Sequence, residues 1–113
     1  MYMRGYVEGF RELLNAVRGV DHSEALKLYA ITAALFQDMR GCIAVEYPES
    51  ERPVTYSHTM EKLGCFMDAF SRAVMRHPSE QQSEIELLER ADQYLISATS
   101  NWPGEDWVSN PHE

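Results

Sequence analysis

Basic residues are scarce in this chain. Its 113 residues hold 10 Lys and Arg against 18 Asp and Glu, a formal net charge of −8. Phosphate repels a surface of that sign, so direct nucleic-acid binding is not expected. Cysteine is almost missing. Cys42 and Cys65 lie 23 residues apart and outside any C-x-x-C pair, which leaves zinc and thioredoxin-like readings without support and predicts two reduced thiols acting as small hydrophobes. No run of 18 apolar residues occurs, so no membrane span is expected. Near the N-terminus Glu8, Arg11 and Glu12 interrupt the apolar stretch that a secretion signal needs, and a cytoplasmic location is expected. Glycine-rich phosphate loops are absent. None of His22, His58, His77 and His112 follows a carboxylate by three residues, the pairing that metal sites in helical bundles favour. His58-x-x-Glu61 has the reverse order and no duplicate, so helix-end solvation is the reading given to His58. Cys65 lies beside Phe66 and Met67 without a nucleophile turn. No catalytic residue, metal ligand or cofactor site is assigned.

What is present is helical periodicity. With 44% apolar and 11% aromatic residues, the chain is too apolar for disorder. Met3, Tyr6, Val7, Phe10, Leu13, Leu14 and Val17 repeat as one face of a helix over 3–18, with Gly19 as its stop. Asp21 and Glu24 form a capping box for a second helix over 23–40, with Gly41 as its C-terminal cap. That segment is apolar on nearly every side between Leu28 and Phe36, which predicts a central helix. Over 42–57, Ile43, Val45 and Tyr47 alternate with Cys42, Ala44 and Glu46, and two prolines follow. A short β-hairpin and an irregular excursion both fit; a loop with some extended pairing is the reading preferred. A third helix over 59–77 carries Leu63, Phe66, Met67, Phe70, Ala73 and Val74 and stops before Pro78. A fourth over 80–100, capped by Ser79 with Gln82, buries Leu87, Leu88, Ala91, Tyr94, Leu95 and Ala98, with Ile85 and Ile96 at its edge.

These segments predict an all-α, four-helix bundle-like single domain with a short non-helical excursion between helices 2 and 3. The helical domain spans 1–101, and an acidic tail containing Trp102 and Trp107 spans 102–113. The short links at 19–22 and 78–79 make helices one/two and three/four antiparallel neighbours. If the apolar surplus of the second helix stays uncovered, homodimerisation is a way to bury it.

Charge is distributed unevenly. Residues 1–45 carry net 0, residues 46–76 net −1, and residues 77–113 net −7. At 100° per residue Gln82, Glu86, Glu89 and Gln93 fall on the outer face of the fourth helix. The expected partner-binding residues are Glu86, Glu89 and Gln93, joined by Glu105, Asp106 and Trp107 of the tail, with tryptophan as an apolar anchor. A solvated face that only keeps the protein soluble is the competing interpretation.

These features are those of a non-enzymatic inhibitor or adaptor that occludes a basic, nucleic-acid-handling surface of a target protein. In size, sign of charge and absence of motifs the chain is similar to small phage-encoded inhibitors of bacterial defence, including anti-CRISPR proteins. The similarity points to a CRISPR effector complex or its nuclease–helicase as the kind of partner expected. No motif assigns the chain to a particular family. An immunity protein or antitoxin neutralising a nuclease toxin fits the same charge layout. A chaperone-like or structural helical subunit is the alternative of a different class.

Overall fold

Four α-helices follow one another: α1 (Met3–Ala16), α2 (His22–Glu46), α3 (Tyr56–Val74) and α4 (Glu84–Thr99), with a 3-10 turn over Glu49–Glu51 between α2 and α3. The computed structural model describes residues 3–52, 55–75 and 83–100. Among the described residues there is no strand, so the fold is all-α. The helices contact their neighbours in a ring: α1 packs on α2 and α4, and α3 packs on α2 and α4, most extensively on α4. Each helix thus occupies a corner of an up-and-down bundle, elongated to 49 × 21 × 21 Å.

The core follows from the apolar seams. Met3, Val7, Phe10, Leu14 and Val17 from α1 and the turn after it are buried, as are Leu63, Phe66, Ala69, Phe70, Ala73 and Val74 of α3. Leu87, Leu88, Ala91, Leu95 and Ala98 complete the core from α4. Aromatic rings occupy its middle. Phe66 lies 5.5 Å from Phe10 and 5.8 Å from Phe70, the latter pair edge-to-face at 84°. Phe10 also reaches Phe36, and Phe70 reaches Tyr29, at 6.2 and 5.7 Å. These separations lie in the range where aromatic pairs add to area burial.

Several helix ends follow the sequence. Gly19 closes α1 with φ +78°, the left-handed conformation that glycine adopts without Cβ strain. Asp21 caps α2, its Oδ1 accepting from the Glu24 N–H at 2.8 Å. The links make α1/α2 antiparallel, with Tyr6 beside Asp38 and Cys42 and Gly9 against Leu35, whose Cδ2 would sit 3.0 Å from a Cβ at that position. Pair α3/α4 is also antiparallel, and the described contacts at its end are specific. His58 Nε2 is 2.9 Å from the Ser97 carbonyl, and Thr59 Oγ1 donates to the Ala98 carbonyl at 3.1 Å. His58 therefore ties two helices together rather than being solvated.

Several expectations fail. The second helix does not stop at Gly41 but continues to Glu46, and its extension replaces the expected hairpin or extended pairing over 42–57. Ile43 is buried and Val45 is 83% exposed. The period-two run was compatible with a second pattern, in which Met39, Ile43 and Tyr47 recur every four residues and face the core. Alpha2 is also not central. As a corner helix it buries only Ala25, Thr32, Met39 and Ile43, leaving Leu26 and Ile31 at 38% and 54% exposure. Finally, α4 begins at Glu84 under Ser83, whose Oγ accepts from the Glu86 N–H at 3.1 Å, not under Ser79. Ser83-x-x-Glu86 has the serine–glutamate spacing of a capping box. The third helix starts at Tyr56, three residues earlier than its spacing suggested, and ends at Val74 with Met75 as its C-cap rather than at His77; His77 and Pro78 lie outside the described residues.

Candidate functional site

The site is the outward face of α4. Burial of Leu87, Leu88, Ala91 and Leu95 fixes the rotation of this helix against α1 and α3. That rotation turns Glu86, Glu89 and Gln93 to solvent, and all three are exposed. Their spacing of three and four residues stacks them on one stripe. The structure therefore brings together the three expected site residues that lie on the helix. Glu105, Asp106 and Trp107, together with Trp102, lie outside the described residues.

Sequence reasoning missed the basic side chains that border the stripe. Arg18, from the turn after α1, and Arg90 of α4 line one open depression of about 430 Å³ with Glu86, Glu89, Asp92 and Gln93. Arg11 adds a link between helices, its Nε 3.7 Å from Asp92 Oδ1. That Nε is buried without a hydrogen bond, because 3.7 Å is an ion-pair distance beyond hydrogen-bond range. Both partners are partly exposed, so the pair adds little stability. With Arg11 on Asp92, the local balance is three carboxylates against three guanidinium groups, a mixed surface on which Glu86 and Glu89 stand as the exposed acids. Only tertiary packing brings Arg18 here, so its sequence position gave no signal.

Two of the acidic residues also act locally. Glu84 and Glu86 occupy the first turn of α4, where the helix dipole favours negative charge.

Elsewhere the polar chemistry is sparse. Tyr6 OH donates to Asp38 Oδ2 at 2.8 Å and lies 3.3 Å from Cys42 Sγ. The hydrogen bond with Cys42, then burial, then the hydrogen bond with Asp38 push the phenol above its usual range. A groove of about 320 Å³ between α3 and α4 is bordered by Cys65, Asp68, Arg72, Arg90 and Tyr94, with Arg72 paired to Asp68 at 3.8 Å. Among the described residues no group of three or more His, Cys, Asp or Glu side chains could hold a metal ion, and no helix is long and apolar enough to cross a membrane. No family model, curated protein or solved structure matches the chain.

Proposed function

We propose that this protein is a non-enzymatic, protein-binding inhibitor that lays the outward face of α4 on a basic, nucleic-acid-handling surface of its target. The observation that carries the reading is the placement of Glu86, Glu89 and Gln93 on one exposed stripe of a helix whose opposite side is locked into the core. A rigid helix presents such a stripe with little loss of freedom on docking. The exposed carboxylates Glu86 and Glu89 are complementary to a surface evolved for phosphate, and complementary potentials speed encounter and fix orientation more than they add affinity. Glu105, Asp106 and Trp107 of the tail are proposed as contacts to the same target. A CRISPR effector complex or its nuclease–helicase is the target class proposed, in keeping with a phage or mobile-element origin. An immunity protein for a nuclease toxin would use the same face on a different enzyme.

The test is a titration of such an effector complex or nuclease–helicase with the chain, reading nucleic-acid binding by the target. Occlusion predicts loss of binding that saturates at a fixed molar ratio. Binding unchanged at every ratio would remove this target class. Time-dependent inactivation by substoichiometric amounts, abolished by Cys65→Ser or His58→Ala, would replace occlusion with catalysis. A second reading, a structural or chaperone-like helical subunit, is favoured by the uncovered apolar side of α2.

A further inference from the structure

We infer that the uncovered side of α2 is an interface for a second copy of this chain, paired antiparallel along the helix. This inference is independent of the α4 reading. Alpha1 and α3 cover one side of α2, through Tyr6 and Gly9 on one flank and Phe70 on the other. The opposite side exposes Leu26, Ala30, Ile31, Ala34, Gly41 and Val45. Val45 is 83% and Ile31 54% exposed, on a helix that among the described residues packs chiefly on α1 and α3. Ala30, Ala34, Gln37 and Gly41 recur at intervals of four, three and four residues, the spacing of a coiled-coil seam. Small side chains at such positions let two helices approach at the lower end of the 8–10 Å range of axial separations.

The charges select the partner and its direction. Lys27 and Asp38 lie on the same flank of the seam, eleven residues apart, or about 16 Å along the axis. A two-fold axis midway between residues 32 and 33 sets Ala30 within one residue's rise of Ala34 of the second copy. The same axis sets Lys27 against Asp38 of the second copy, twice. A self-complementary patch of this kind is what a two-fold interface requires. That register overlaps α2 over nearly all of its 25 residues. A parallel pair would instead carry the flank with Lys27 and Asp38 to the opposite side of the seam in the second copy, and the two charges would not meet. Asp38 is already oriented, since its Oδ2 accepts from Tyr6 at 2.8 Å. On the other flank Arg40 comes level with Ala25 of the second copy, where its aliphatic stem can cover the neighbouring Leu26.

A 25-residue helix is about 37 Å long. A strip roughly 10 Å wide along it buries on the order of 400 Å² per copy, below the roughly 800 Å² per partner of a stable complex. The dimer is therefore weak, at the transient end of interface sizes. Because α2 and α4 lie diagonally across the bundle, the dimer leaves both α4 faces uncovered and pointing away from each other.

Sedimentation equilibrium of the full chain over the micromolar-to-millimolar range tests this, with circular dichroism checking that each variant stays folded. The wild type should show concentration-dependent dimerisation. Ala34→Glu should abolish it, and Lys27→Glu, which sets like charges together twice, should weaken it about tenfold. Lys27→Glu combined with Asp38→Lys should recover most of the loss. A wild type that stays monomeric at every concentration leaves the face to some other occupant and overturns the inference. So does a dimer indifferent to Ala34→Glu, which lies on another surface. Failure of the charge exchange to recover association, with both variants folded, overturns the antiparallel register.

Discussion

Substituting Gly41 by alanine should stabilise this protein, and the sign of that effect decides how the chain runs between α2 and α3. Gly41 lies inside the helix rather than at its end. It is exposed, an added Cβ would meet nothing within 4 Å, and its φ is not positive. Glycine in an exposed helix interior is less favourable than alanine by about 0.5–1 kcal/mol. Nothing around Gly41 opposes recovery of that amount. Gly19 supplies the opposite case in the same molecule. Its space is equally open, but its φ is +78°, so alanine there should destabilise by about 1–2 kcal/mol. Urea denaturation reads both through the transition midpoint. With a slope of roughly 1–3 kcal/mol/M, Gly41→Ala should raise the midpoint by a few tenths of a molar, and Gly19→Ala should lower it by about twice as much. The monomer is the species to measure, at protein concentrations of a few micromolar or less. A destabilising Gly41→Ala would mean that Gly41 caps a helix ending at Arg40, and would refute the 25-residue α2 together with the interface built on it.

Further outcomes follow from the core, the caps and Tyr6. Phe66 is fully buried between Phe10 and Phe70, so Phe66→Ala should cost about 3–5 kcal/mol, while Val45→Ala, at 83% exposure, should change the monomer by less than about 0.5 kcal/mol; equal effects in urea denaturation would contradict the packing. Ser83→Ala removes the acceptor for the Glu86 N–H and should cost about 1 kcal/mol; an unchanged urea midpoint would argue against this cap. Tyr6→Phe should cost about 1 kcal/mol near pH 8 through its lost hydrogen bonds. Because the folded-state phenol titrates above its ordinary value of 10.0, its stabilisation is complete below that pH and is lost as pH rises past it. Urea midpoints should therefore converge between wild type and Tyr6→Phe as pH climbs above about 10, and a constant gap would argue against the shift.

Much of the fold was legible in local patterns. The seams of α1, α3 and α4 appeared at full strength because apolar residues three and four apart faced a single core. Asp21 and Gly19 were readable because each satisfies a specific terminal need, an acceptor for an orphan N–H in one case and a left-handed turn in the other. The region after Arg40 misled because one string satisfied two periods. Ile43 and Tyr47 fit an alternating strand and also the inward face set by Met39, and the exposed Gly41 resembled a stop that the continuing helix did not use. Alpha2 misled because an apolar surround ordinarily means neighbours on several sides, whereas the ring of four corners supplies two. Ser79 with Gln82 and Ser83 with Glu86 competed as caps, and the glutamate pair prevailed. On the candidate site, Glu86, Glu89 and Gln93 needed only the helical period. The approach of Arg18 to that stripe, and the bond from His58 to the end of α4, join residues far apart in sequence and had no local signature.

Association kinetics with the target bear most directly on the α4 proposal. Glu86, Glu89, Glu105 and Asp106 should be changed together to lysine, since single exposed pairs contribute only about 0–1 kcal/mol each. With Arg18 and Arg90 already bordering the stripe, the reversed face becomes strongly basic. The wild type should associate with the effector complex or nuclease–helicase at a rate that falls steeply as salt is raised. The quadruple variant, still helical, should associate markedly more slowly and with a flat or inverted salt dependence. An unchanged association rate for that variant at both low and high salt would contradict the proposal and leave the acidic face as a solvated surface.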